Sequence, residues 1–486
     1  MTPREAALEE RIRQLEAMMG SLSGRVQTLS TSPAPSATTA PVDKGSAASR
    51  VTPSASGGPS APGQSLPPYP PPSKRFDSPA TLANVPGTVK FGPGFEIRSN
   101  DDEFFFQFHN LTQFEFRGYQ QGGQAPVHDT FNVPRQWFMF SGRVTRPIGY
   151  FVSFAQGQEI LNGLDYFIDL NYDPRLQLRM GRMKTPFTYE FLVEPIQGLI
   201  IPERSLFFNN FGQNRDVGIM AYGRLGGGLL DYAAGVYNGS RNGFVSNQDS
   251  KFLSAFVNSR PFKDSEGSLL ENFNIGGSVF AGNAYNGAPV PQTLRTNIAT
   301  TGNSVIGVPF LAFNNNVRET GNKAFWDLHT AWFYNHLAVI AEWQSGGQDY
   351  VQTNNPAQRT RVGVDSFYIQ GGYLLTGETR SSVGIVKPLH PFDLRKGKRG
   401  PGAWEPTFRI NYLDISDKVF TSGLSDPNTG ANRVVMTDVG FTWHMTQYTK
   451  IFFDWQHAEF NQGVIFAPGR RQINSDLFML RFQLYF

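Results

Sequence analysis

The 486 residues include 43 Lys and Arg against 40 Asp and Glu, no Cys, and only 17% charged residues, where a globular domain has about a quarter. Zero Cys excludes a disulfide scaffold, thiolate catalysis and Cys-ligated metal sites. A net charge of +3 excludes a dedicated nucleic-acid binder. No run approaches the roughly 18 apolar residues of a helical membrane span, yet 42 Phe, 17 Tyr and 50 Gly with few charges suit a transmembrane β-barrel, where alternate residues of each strand meet lipid.

Residues 1–30 carry a heptad seam of Leu8, Ile12, Leu15, Met19, Leu22, Val26 and Leu29. The spacing alternates between four and three residues, with Leu at each d position, and predicts a short coiled-coil helix. A helix of this length is marginal alone in water, and Gly20 and Gly24 weaken it further. Self-association is the expected use of the seam, with packing of the helix on its own barrel as the other reading. Residues 31–94 are rich in Pro, Ser, Ala, Thr and Gly, as in Pro67-Pro68-Tyr69-Pro70-Pro71-Pro72. Too little apolar surface is present here to offset ordering entropy, so a disordered linker is predicted, either a plain tether or a spacer through the cell envelope.

From residue 95 to 486 the pattern has period two. Phe104, Phe106, Phe108, Phe114 and Phe116 alternate with Gln107, His109, Gln113, Glu115 and Arg117. Leu164, Tyr166, Ile168 and Leu170 oppose Asp165, Asp169 and Asn171. Val435, Thr437, Val439, Phe441 and Trp443 oppose Asp438, Thr442 and His444. The final strand alternates Phe478, Leu480, Phe482, Leu484 and Phe486 with Met479, Arg481, Gln483 and Tyr485. A closing aromatic at Phe486 resembles the signal read by the barrel assembly machinery.

Turn lengths count the strands. Short turns fall at 146–149, 172–175, 226–228, 334–337 and 445–448, and long connections at 184–214 and 282–323. A direct count gives 17 strands, including a weak one at 380–388. An outer-membrane barrel has an even number and keeps its short turns on the periplasmic side. Seventeen strands would put the 445–448 turn on the wrong side. Reading 376–403 as one long periplasmic connection restores the register. The expected fold is therefore all-β, a 16-stranded antiparallel barrel wide enough for an aqueous channel, preceded by the coiled-coil helix and linker.

The run Leu164-Asp165-Tyr166, then Arg179-Met180-Gly181-Arg182-Met183-Lys184-Thr185-Pro186-Phe187, resembles the phosphate-selective porin O and P family. Glu203-Arg204-Ser205, Asn214-Arg215-Asp216-Val217-Gly218, Leu375-Thr376-Gly377-Glu378, Lys387-Pro388 and Gly402-Ala403-Trp404-Glu405 follow in the family's order. The resemblance spans about residues 100–486. It implies a trimeric 16-stranded channel in the outer membrane, with the 184–214 loop folded into the pore and the 376–403 connection on the periplasmic side. A passive anion or phosphate pore is the implied function. Such a chain needs an export signal, and Met1-Thr2-Pro3-Arg4-Glu5 leads straight into the heptads. The expectation is a signal removed from this sequence or a start site placed downstream of it.

Alternation assigns the lumen six basic residues, Arg117, Arg143, Arg179, Arg409, Lys450 and Arg481. It assigns seven acidic ones, Glu115, Asp165, Asp169, Asp327, Glu342, Asp438 and Asp454. That is a mixed lumen, whereas a strongly anion-selective pore would carry an excess of Arg and Lys. Around the loop, Arg179, Arg182, Lys184, Arg204 and Arg215 are candidate anion contacts at a constriction. Arg204 and Arg215 come first, because planar guanidinium matches phosphate oxygens. The competing reading pairs Glu203, Arg204, Arg215 and Asp216 as ion pairs that anchor the loop. The basic cluster Arg395, Lys396, Lys398 and Arg399 reads as a solvated periplasmic turn.

No HExxH, P-loop, G-x-S-x-G or dinucleotide fingerprint occurs, and the seven His have no metal-ligand spacing. No enzyme, metal or cofactor is expected. The partners expected are the lipid bilayer, further copies of the chain, the assembly machinery and, through the N-terminal arm, the cell envelope. Two other functions stay open: an envelope anchor whose barrel is plugged, and a non-selective or sugar porin.

Overall fold

The computed structural model describes residues 87–486, apart from 93, 121–126, 158–159, 247–248, 285–289, 298–306, 396, 398 and 468–469. The heptad seam and residues 31–86 of the linker lie outside the described residues. Gly87–Phe91, at the end of the segment read as linker, forms strand β1 and pairs in a hairpin with β2 (Phe95–Ser99).

Nine strands follow: β3 (Phe105–Tyr119), β4 (Thr130–Thr145), β5 (Ile148–Gly157), β6 (Ile160–Asp173), β7 (Leu176–Lys184), β8 (Arg215–Leu225), β9 (Leu230–Tyr237), β10 (Phe252–Ser259) and β11 (Asn272–Ala284). A small ribbon, β12 (Leu294–Arg295) and β13 (Pro309–Leu311), lies in the next connection. The chain then completes β14 (Val317–Tyr334), β15 (Leu337–Gln352), β16 (Asn355–Tyr373), β17 (Ala403–Ile415), β18 (Arg433–His444), β19 (Thr449–Ala467) and β20 (Arg470–Tyr485).

Sixteen of these strands, β3–β11 and β14–β20, close into one antiparallel barrel. Each pairs with its successor, and β20 returns to β3 from Leu477↔Tyr119 to Tyr485↔Leu111. Closure leaves no unpaired edge to face lipid. The strand count by parity is borne out, and 380–388 forms no strand. Alternation sets the faces as read. On β20, Phe478, Leu480 and Phe482 are exposed on the outside while Met479, Arg481 and Gln483 are buried in the lumen. The two-residue turn between β14 and β15 works because Asn335 accepts a φ of 49°, a left-handed conformation that Asn tolerates.

One face assignment is corrected. Leu164, read as lipid-facing, is buried on the lumen side. The β5–β6 register slips between Val152 and Phe154, so Tyr166 opposes Val152 while Gly163 opposes Phe154. This bulge turns both Leu164 and Asp165 inward.

Two segments enter the lumen. Residues 185–214, between β7 and β8, are almost wholly buried. They include two short helices, α1 (Tyr189–Leu192) and α2 (Leu206–Phe211), and a 3-10 turn at Ile196–Gly198. The connection 374–402 between β16 and β17 folds inward from the end bearing the short turns. Val383 packs near Tyr189, Ile200 and Ile201, and Ile385 packs near Ile196 and Leu199. A Cβ added at Gly198 would lie 2.9 Å from the Cα of Gly384, so glycine permits this close approach. At the other end an apolar layer fills part of the lumen. It joins Phe207 and Phe211 of α2, Phe310 and Leu311 of β13, Val419 of α3 (Lys418–Thr421), and strand residues such as Met436 and Phe460.

Candidate functional site

The 185–214 loop is held by wall side chains that reach its backbone. Lys450 Nζ donates to Leu199 O at 3.0 Å, Arg409 Nη1 to Glu203 O at 2.5 Å, and Arg481 Nη1 to Pro202 O at 2.5 Å. From β15, the Glu342 carboxylate accepts Tyr189 N–H at 2.9 Å and Glu190 N–H at 2.6 Å. A buried loop without such partners would leave its peptide groups unsatisfied.

Glu203 is the strongest anchor. Its carboxylate meets Arg135 at 2.7 Å and Arg117 at 3.3 Å, and it contacts Arg481 as well. Burial alone would raise this carboxyl, but the three guanidiniums outweigh it and hold Glu203 well below the ordinary range. Several predicted lumen cations are thus engaged by acids or by the loop. Arg117 also binds Glu115 at 2.6 Å, Arg409 binds Asp438 at 3.0 Å, and Arg481 binds Glu115. Arg143 lies elsewhere, half-buried and paired with Asp102 at 2.9 Å.

The five candidate contacts divide. Arg179 is fixed on the wall by Asp169 at 2.7 Å and stacks over Phe167 at 3.8 Å. Arg182 caps the β6 bulge, donating to the carbonyls of Gly163 at 2.5 Å, of Leu164, and of Asn242 at 2.9 Å. The remaining three converge on one ring. Lys184 Nζ, Arg204 Cζ and Arg215 Cζ lie 5.1, 5.5 and 5.8 Å from the centroid of Phe191.

Arg215 pairs with Asp165 of β6 at 3.0 Å, a contact between two wall strands that includes no residue of the loop. Asp216 does not join Arg215 or Arg204. It accepts Val217 N–H at 2.8 Å and Gly239 N–H at 2.5 Å. Lys184 donates to Phe191 O at 2.8 Å and Arg204 to Glu194 O at 3.0 Å, and neither forms a carboxylate ion pair among the described residues. Arg204 Nη1 is buried with no hydrogen-bond partner.

These cations face a small cleft of about 70 Å³, partly open to solvent, along the β4–β8 wall. Arg135, Lys184, Arg204 and Arg215 line it against a single acid, Asp165. The averaged lumen is mixed, but the lining of this cleft is basic. Gln197 also lines a smaller cavity by Val386, Tyr448 and Lys450, on the side of the inward 374–402 connection.

Sequence reasoning missed Arg135 and Trp137. Both share the parity of Arg143 on β4 and could have been found from it, but Pro134 interrupts the alternation that marks the strand. Among the described residues, no group of three or more His, Asp or Glu is spaced for a metal ion.

A closed 16-stranded barrel with a polar lumen, narrowed by a loop folded inward, is an outer-membrane channel. The chain belongs to the family described as phosphate-selective porin O and P, whose match covers residues 110–486. It is accordingly an outer-membrane porin. Similar solved structures include OmpT of Vibrio cholerae in its trimer form, at 8% identity and TM-score 0.47, covering 79% of this chain and 100% of that one. An anion-selective porin from Comamonas acidovorans has 8% identity and TM-score 0.46, with the same coverage. The outer membrane channel DcaP of Acinetobacter baumannii has 8% identity and TM-score 0.45, covering 80% of this chain and 99% of that one. Comparison with curated proteins finds no match.

Proposed function

We propose that this porin passes small anions, phosphate among them, by passive diffusion along the β4–β8 wall. The observation that carries the reading is the buried guanidinium of Arg204, which has no carboxylate ion pair among the described residues and an unpartnered Nη1, beside Lys184 on a cleft lined by one acid. Such groups favour an incoming anion, because it supplies the counter-charge their burial demands. Arg215 adds a third positive group, and Arg179 and Arg182 set the wall behind it. The working unit is a homotrimer, with the N-terminal seam joining copies or holding the envelope.

The test is current through the full chain in a planar bilayer, with reversal potential in a KCl gradient and phosphate as blocker. Anion-selective current blocked by phosphate is expected. Arg204→Gln should weaken block about tenfold, as loss of one charge-assisted hydrogen bond implies. Weakly selective, unblocked current would leave a general porin. The apolar layer at one end of the lumen favours a second reading, a plugged barrel serving as an envelope anchor. A folded, heat-modifiable barrel that passes no current would overturn the channel reading and favour that one.

A further inference from the structure

Beside its cations the cleft has an apolar lining. Next to Arg135, Lys184, Arg204 and Arg215 it is lined by Trp137 and Met139 of β4, Phe151 of β5 and Leu164 at the β6 bulge. Trp137 is close to the charges, with Arg215 Cζ 5.5 Å from its ring. On the loop side Phe191 stacks on Phe208, with centroids 4.6 Å apart and planes at 27°. Trp137 Nε1, like Arg204 Nη1, is buried without a hydrogen-bond partner.

Inorganic phosphate is a poor match for such a surface. It carries oxygens on every side, and an apolar wall cannot replace the water it would lose. A carboxylate on a planar apolar ring divides its surface as the cleft does. The carboxylate meets the cations and orphaned donors, and the ring lies against the aromatic and aliphatic wall, where burial is favourable. The Leu164 bulge, which departs from the strand's own alternation, adds to the apolar side.

We infer that this cleft is a binding site for aromatic carboxylates and prefers them to inorganic phosphate. The inference rests on the anion reading above and narrows it to a substrate class.

The experiment is block of current through the full-length porin by benzoate, phosphate, acetate and benzyl alcohol, each titrated separately. Benzoate should reach half-block at a concentration about tenfold below phosphate or acetate, a factor that burying about two methylene equivalents supplies. Trp137→Gln and Met139→Gln should each bring the benzoate-to-phosphate ratio towards one. The ratio is read within each variant, and heat-modifiable migration confirms that the barrel is folded. Phosphate blocking as tightly as benzoate in an anion-selective channel would overturn this inference and leave the anion reading intact. Benzyl alcohol blocking as well as benzoate would overturn it too, since the charge would then be irrelevant. A cation-selective current that none of the anions blocks would remove both.

Discussion

Glu194 and Glu203 lie nine residues apart on one buried loop, and their surroundings drive them in opposite directions. Three guanidiniums keep Glu203 ionised, as described above. Glu194 has Gln370 as a hydrogen-bond donor at 3.1 Å. Burial pushes its carboxyl up to about 8, with Arg204 opposing the rise and Glu190 adding to it. Glu194 is therefore mainly protonated at neutral pH and ionises as pH passes about 8. Ionisation places a negative charge beside Arg204, the cation with an unpartnered Nη1. The chloride-to-potassium permeability ratio should fall roughly threefold to tenfold between pH 6.5 and 9. Chloride is the ion to use, because phosphate itself titrates in that range. Glu194→Gln should flatten the profile at its low-pH value, and an unchanged slope in that variant would move the titration to another group.

At the scale of elements, the strands were legible and their contents only partly so. Alternation such as Phe478-Met479-Leu480-Arg481 fixes which side faces lipid, and turn lengths fix the parity that removed residues 380–388 from the count. A bulge changes parity without any sequence mark, so alternation alone puts Leu164 on the wrong face. Long-range pairing was equally hidden. Nothing local indicates that Arg117, Arg135 and Arg481, from three strands, meet at Glu203. Nor does a polar, glycine-bearing connection announce that it turns into the lumen. That inward segment hangs on Arg380, which binds Glu405 through two contacts of 2.7 and 3.0 Å, with His444 on the same carboxylate at 2.8 Å. Arg380→Gln removes the bidentate pair and leaves Glu405 with His444 alone. Protease added from the periplasmic side should then cleave within 381–395 at least several times faster than in the parent, with conductance raised. Equal cleavage rates would mean that the contacts of Val383 and Ile385 hold the segment without Arg380.

For the whole molecule, the two lumen fillings lie against different strands and meet at α2, which gives Phe208 to the cleft and Phe207 and Phe211 to the apolar layer. The basic cleft follows β4–β8, whereas the apolar layer is built largely on the inner faces of β14–β20 and on the connections beside them. A 16-stranded wall encloses far more space than the cleft occupies, so the lumen is narrowed by its filling: the 185–214 loop, the 374–402 connection and this layer. Phe310 and Leu311 are each 1% exposed within it. Truncating both to Ala removes apolar contacts that would cost about 3 kcal/mol or more per side chain in a packed core. The inter-strand ladder is untouched, so heat-modifiable migration should persist. Phe310→Ala with Leu311→Ala should therefore raise single-channel conductance while the anion preference stays with the β4–β8 cleft. Unchanged conductance would show that the layer does not limit the current. A loss of selectivity alongside a larger current would show that the layer had been directing ions past Lys184 and Arg204.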